Sequence, residues 1–185
     1  VRADDGRYAV VAGSRRLAEL YRNRGDWHFD EITAAAGVAG DPRWHSTGAV
    51  FADVDGDGDL DLLVGTLGHG PHLFLNDGHG RFQDATAAAG IQAETGTTSL
   101  ALADVNGDGA LDLYVVNYGA VSVLRSGGRP ELKFVNGQWV VTGPHAKRFR
   151  TVDGRLEELG EPDVLYLNDG QGHFKPLPWN SPWFL

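Results

Sequence analysis

The stretch FADVDGDGDLDLLVG, residues 51–65, sets aspartates at positions 53, 55, 57, 59 and 61, with Gly56 and Gly58 among them. Five carboxylates this close repel one another, so a fold that keeps them ordered must supply compensation. Counted from Asp53, positions 1, 3, 5 and 9 are Asp53, Asp55, Asp57 and Asp61, and position 6 is Gly58. That spacing wraps a loop around a hard cation. Alternate side chains point inward, the glycine permits a sharp turn, and position 7 offers its backbone carbonyl. Asp59 holds position 7 and is expected to lend mainly that carbonyl. An all-oxygen ligand set points to calcium rather than zinc or copper. The loop is not an EF-hand, because position 12 is Val64 where a bidentate glutamate would be needed, and strand-like sequence flanks it.

The pattern returns. AVFADVDGDGDLDLLVG (49–65) recurs as LALADVNGDGALDLYVV (100–116), with Asp104 standing 51 residues after Asp53. The second copy offers Asp104, Asn106, Asp108 and Asp112, with Ala110 at the carbonyl position. A variable residue at position 7 fits a backbone ligand, and a second Ca²⁺ site is expected there. Eight of the 25 acidic residues lie in these two loops, so much of the formal charge of −9 is ligand charge. A further motif, LFLNDGHGRF (73–82), reappears as LYLNDGQGHF (165–174) and in worn form as ELYRNRGDWHF (19–29). EITAAAGV (31–38) likewise matches DATAAAGI (84–91), and TAAAG reads as one helical turn ending at glycine.

Each unit therefore reads strand, acidic loop, strand, short loop, strand, Asn/Asp-Gly turn, strand. Alternating apolar residues in LDLLV and LDLYVV suit half-buried strands, and NDGHG suits a hairpin turn. Four short antiparallel strands repeating every 40–50 residues are the mark of β-propeller blades. The fold class is all-β, built from four-stranded antiparallel blades. Expected divisions are residues 1–38, a partial, degenerate blade without a calcium site; 39–91, a blade with calcium loop 53–61; 92–179, a blade with calcium loop 104–112; and 180–185, a C-terminal tail. In the first unit, aligning Gly13 with Gly65 puts Val1, Ala3 and Ala9 where ligands would stand, leaving Asp5 and Gly6 at positions 5 and 6. A propeller usually needs four to eight blades. The chain is thus either a segment of a larger propeller or a piece whose blade edges associate with other copies.

The third unit carries an insertion at about 119–160. Its segments LKFVNGQWVVT (132–142) and RFRTVDGRLEEL (148–159) read as hairpins around Asn-Gly and Asp-Gly. Inserted propeller loops emerge at the surface, where they often carry binding.

Composition excludes several classes. A net charge of −9 argues against nucleic acid, and no apolar run approaches membrane-spanning length. Zero cysteines remove disulfides and thiolate chemistry. The chain opens on Val1, which points to a processed or trimmed N-terminus and takes the weight out of a missing signal peptide. His69 and His72 in LGHGPH have a loop spacing that could hold a metal, but a surface turn is the stronger expectation; His79 and His173 read as turn residues. Ser46 with His45 or His72 lacks an orienting acid, so no catalytic residues are assigned and the chain is not expected to be an enzyme. Trp139, Trp179 and Trp183 suit packing, or stacking on a sugar or partner; KRFR (147–150) reads as a solvated basic hairpin face.

DVDGDGDLDLLVG and DVNGDGALDLYVVN, each with a later LNDGxGxF, resemble the FG-GAP/VCBS repeats of integrin-α-like β-propellers. With the insertion containing VTGPHAKRF, the chain resembles in particular the bacterial ASPIC/UnbV, cartilage-acidic-protein-like group. The resemblance implies secreted, cell-surface or periplasmic proteins whose loops bind Ca²⁺ between the first two strands of a blade. It implies an extracellular structural or adhesion-like module that meets a protein partner. Carbohydrate binding, as a lectin or an accessory domain of a polysaccharide-active enzyme, stands as the alternative.

Overall fold

The computed structural model describes residues 7–11, 19–92, 95–118, 129–144, 146–152 and 155–177. Apart from one 3-10 turn at Ala146–Arg148, every regular element among the described residues is a strand, and all strand pairings are antiparallel. The first sheet joins β1 (Arg7–Val11), β2 (Glu19–Gly25) and β3 (His28–Glu31) in sequence order. The second is a four-stranded meander of β4 (Ser46–Ala52), β5 (Asp61–Thr66), β6 (Gly70–Asn76) and β7 (Phe82–Asp84). The third starts with β8 (Thr97–Ala103) and β9 (Asp112–Asn117). The chain then leaves the sheet for two separate hairpins, β10 (Glu131–Val135) with β11 (Gln138–Thr142) and β12 (Phe149–Val152) with β13 (Arg155–Glu158). It returns as β14 (Val164–Asn168) beside β9, and β15 (Phe174–Pro176) closes the sheet. This is the all-β, blade-by-blade organisation that the repeats predict, forming an arc rather than a closed propeller.

The first inserted hairpin follows its turn chemistry. Asn136 and Gly137 take φ of 49° and 82°, the paired left-handed conformation of a two-residue hairpin turn. Asp153 and Gly154, where the second hairpin's turn is expected, residues 119–128 of the insertion, His145 and the residues from 178 onward lie outside the described residues.

Two cores hold the arc together, one on each side of the second sheet. Leu62 and Val64 of β5 join Leu20, Ala36, Val38, Phe74 and Phe82 in the first core. Leu63, between them, points the other way and packs with Leu73, Ala89, Leu113, Val115, Tyr166 and Phe174. Every residue of β5 is buried, where the alternating pattern had suggested one solvated face. The reason is that a middle blade has a neighbour on both sides.

The units are also stitched through their backbones. Residues 33–37 and 86–90 each make a single helical turn, with Ala36 N–H donating to Ile32 O at 2.7 Å and Ala89 N–H to Ala85 O at 2.7 Å. The carbonyls of Ala36 and Ala89 then accept the N–H of Phe82 (2.8 Å) and Phe174 (2.7 Å) from the following unit. The close approach requires glycine next door. A Cβ on Gly90, at φ +76°, would stand 2.7 Å from the Phe174 carbonyl oxygen.

His72 of β6 is 4% exposed, stacks on Trp44 at 3.6 Å, and neither ring nitrogen has a hydrogen-bond partner. Burial pushes its pKa down to about 4, against the pull of the Asp84 carboxylate. The third sheet shows what the position requires, because Val164 pairs with Val115 as His72 pairs with Val64. With a folded pKa below the unfolded one, the unfolded chain binds the extra proton. The stability held with neutral His72 is therefore complete above about pH 6.5 and declines as pH falls toward 4. Urea unfolding in chelator at pH 7.5 and pH 4.5 should show His72→Val losing about 2–3 kcal/mol less than the parent on acidification. Equal losses would remove His72 from the acid response.

Candidate metal centre

The two acidic loops fold alike. In the first, the Asp53 carboxylate accepts the N–H groups of Gly56 (2.8 Å) and Gly58 (3.1 Å), closing the turn. In the second, Asp104 accepts those of Gly107 (2.7 Å) and Gly109 (2.9 Å). Gly58 and Gly109 take φ of 94° and 90°, a left-handed backbone open to glycine at little cost. Asp57 accepts from Asp59 N–H at 2.8 Å, and Asp108 from Ala110 N–H at 2.9 Å. Inward folding of these side chains satisfies amides that a tight turn leaves without backbone partners.

The ninth-position carboxylates are the anchors. Asp61, fully buried, accepts Val54 N–H at 3.0 Å on one oxygen and Asn76 N–H at 2.9 Å on the other. Asp112, 1% exposed, repeats this with Val105 N–H at 3.0 Å and Asn168 N–H at 2.9 Å. Each thus ties its loop's start to the end of the blade's third strand. Burial lifts the Asp61 carboxyl to about 6, with the Asp55 and Asp57 charges adding and the two amides opposing. Burial likewise raises Asp55. Asp104 lies in the other direction, its carboxyl held low by the amides of its loop.

Carboxylate oxygens of Asp53, Asp55 and Asp61 lie within 4.8 Å of one another. That span is about twice a calcium–oxygen distance of 2.3–2.6 Å, so one ion can reach all three. The amide bonds leave lone pairs free on Asp53 and Asp61. The donor set of hard, charged oxygens in a turn fits such a cation. Asp57 lies exposed outside this cluster, and the Asp59 carboxylate is directed to the LNDG turn, where a Cβ on Gly78 would meet it. In the second loop Asn106 Nδ2 donates to Asp108 at 2.8 Å, which occupies part of the donor set that would face an ion.

Asn76 and Asn168 were legible only as turn residues, yet both are buried. Asn76 Nδ2 donates to Leu60 O (3.1 Å), and Asn168 Nδ2 donates to Leu111 O (3.1 Å). The signal for them was the shared offset of LNDG from each acidic loop, obscured by the insertion. In the first unit, Tyr8 pairs with Arg22, and Ile32 N–H bonds Leu20 O as Ala85 N–H bonds Leu73 O. This register sets Tyr8, not Ala9, opposite the counterpart of Leu75, where Asp61 stands in the second unit. Its ring packs on Phe51 and Phe82 beneath the Arg22 guanidinium. Val1, Ala3, Asp5, Gly6 and Gly13 fall outside the described residues.

The remaining candidates separate cleanly. His72 makes no bond to Ser46, being stacked on Trp44 with both ring nitrogens unpartnered. His69 flanks the same indole at 6.3 Å. His79 N–H and His173 N–H bond the turn aspartates Asp77 and Asp169. Trp139 is 59% exposed and meets Phe134 edge-on, beside a cleft of about 630 Å³ between the inserted hairpins. Arg150 pairs with Glu157, and Arg148 with Glu158. Trp179 and Trp183 lie outside the described residues. No helix among the described residues is long and apolar enough to cross a membrane.

Comparison with known proteins adds a family. The FG-GAP-like repeat matches residues 4–64 and again 53–115. Cartilage acidic protein 1 of Homo sapiens is 35% identical over 102 residues, covering 53% of this chain and 15% of that protein. The Mus musculus protein of the same name is 33% identical and the Xenopus tropicalis one 32%, over the same length. The chain spans only about 15% of the length of these relatives.

Buried anchoring carboxylates and exposed loop carboxylates differ in what they hold without an ion, and substitution in EDTA separates them. Asp112→Ala strands two buried amides and should cost about 2–5 kcal/mol in urea unfolding. Asp108→Ala, an exposed side chain, should cost under about 1 kcal/mol. Equal costs would contradict the division.

Proposed function

The chain belongs to the FG-GAP-like repeat family, and we propose that its acidic loops each hold one structural Ca²⁺ in an extracellular, non-enzymatic interaction module. In the first loop the side chains of Asp53, Asp55, Asp57 and Asp61 and the Asp59 carbonyl would hold the ion. In the second the set is Asp104, Asn106, Asp108, Asp112 and the Ala110 carbonyl. The observation that carries the reading is the three-carboxylate cluster of Asp53, Asp55 and Asp61, built on a loop whose amide-to-carboxylate bonds are repeated 51 residues on. A bound divalent ion neutralises the converging charge. The residues themselves orient the loop, hold its amides and keep the anchoring carboxylates out of water.

Extracellular calcium is abundant enough to fill weak sites, with affinities of about 10⁻⁴–10⁻³ M sufficing for extracellular modules. That supports a secreted, cell-surface or periplasmic setting. The inserted hairpin presents exposed aromatic surface, with Phe134 61% and Trp139 59% exposed. Aromatic side chains of this kind serve as anchors for a protein partner.

Thermal unfolding followed by circular dichroism tests the calcium role. Saturating CaCl₂ against EDTA should raise Tm by about 5 °C or more, since binding at 100 times Kd contributes about 2.7 kcal/mol per site. Asp57→Ala combined with Asp108→Ala should abolish most of that difference. An unchanged Tm on chelation would overturn the proposal.

A further inference from the structure

Resting on the calcium reading above, we propose that the two loops bind cooperatively and that Asn168 is the positioning residue that couples them. Asn168 ends β14 and is 3% exposed. Its Nδ2 donates to Leu111 O in its own unit's loop at 3.1 Å and to Val54 O in the preceding unit's loop at 2.8 Å. Its backbone N–H is held by Asp112, and its Oδ1 accepts Gly170 N–H at 3.2 Å. One side chain, 114 residues from Val54 in sequence, thus bridges both loops.

The bridge reaches the first loop at its ligands. Val54 lies between Asp53 and Asp55 and is clamped at both polar groups, its N–H by Asp61 and its carbonyl by Asn168. The turn after Asn168 is wedged against the same loop. A Cβ on Gly56 would stand 3.3 Å from Gly170 O, and one on Gly172 would stand 3.3 Å from the Asp55 Cβ. An ion in the second loop fixes Asp112, Asp112 fixes Asn168, and Asn168 fixes the peptide that aims Asp53 and Asp55. Ordering of the first loop is then met in advance, and by linkage the first ion aids the second equally.

Isothermal calorimetry with CaCl₂ on the full chain tests this. Asp104→Asn with Asp108→Asn silences the second loop while keeping acceptors for its amides. Affinity at the first loop should then fall about tenfold, within the usual span of coupling between sites. In an Asn168→Ala background the same silencing should change it less than twofold. A second measurement needs no change at Asn168. With Asp55→Asn and Asp57→Asn silencing the first loop, calcium filling only the second should slow hydrogen exchange at the Gly56 and Gly58 amides severalfold. Two calcium ions binding with first-loop affinity indifferent to silencing, or unslowed exchange, would overturn the coupling and leave the calcium reading standing. No calcium heat at either loop in the parent chain would overturn both.

Discussion

The structure depends on two buried carboxylates. Asp61 and Asp112 each accept one amide from the start of an acidic loop and one from the end of the blade's third strand. Without them the loop would be a string of like charges with nothing to close it, and the third strand would end on an unsatisfied donor. A buried carboxylate that accepts two amides carries its charge at far less cost than an unpartnered one. Burial raises the Asp61 pKa, and the same carboxylate lies within 4.8 Å of oxygens of Asp53 and Asp55, in range of a shared ion. The side chain that closes the loop is thus also a member of the candidate metal cluster.

Blades then join by a second repeated contact, the tight turn ending at Gly37 or Gly90 that receives the Phe82 or Phe174 strand of the next unit. Leu62 and Leu63, adjacent in β5, face opposite cores because the second sheet has a blade on either side. The first unit keeps this interface while using different chemistry where Asp61 would stand. There Tyr8 is sandwiched between aromatic rings and Arg22, so apolar packing and a protein cation occupy the place of a carboxylate.

Much of this could be read from residue spacing. The acidic loops announce themselves because alternating aspartates with a fixed glycine have few structural reasons to exist, and a second copy makes the first meaningful. The Asn136-Gly137 turn specified its hairpin for the same kind of local reason. What stayed hidden depends on contacts between units. Asn168 looks like any turn asparagine until its Nδ2 is seen reaching Val54. Tyr8 was displaced by one residue in the alignment, because strand register is set by pairing partners and not by matching glycines. His72 gave no sign that its neighbour would be the face of Trp44.

Diffraction at long wavelength from crystals of the chain grown in calcium would test the central claim most directly. Two anomalous peaks are expected, each about 2.3–2.6 Å from its ligand oxygens. One would be bounded by Asp53, Asp55, Asp57, Asp61 and the Asp59 carbonyl, the other by Asp104, Asn106, Asp108, Asp112 and the Ala110 carbonyl. Ordered loops closed on their own amides, with water and no anomalous peak at either position, would contradict it.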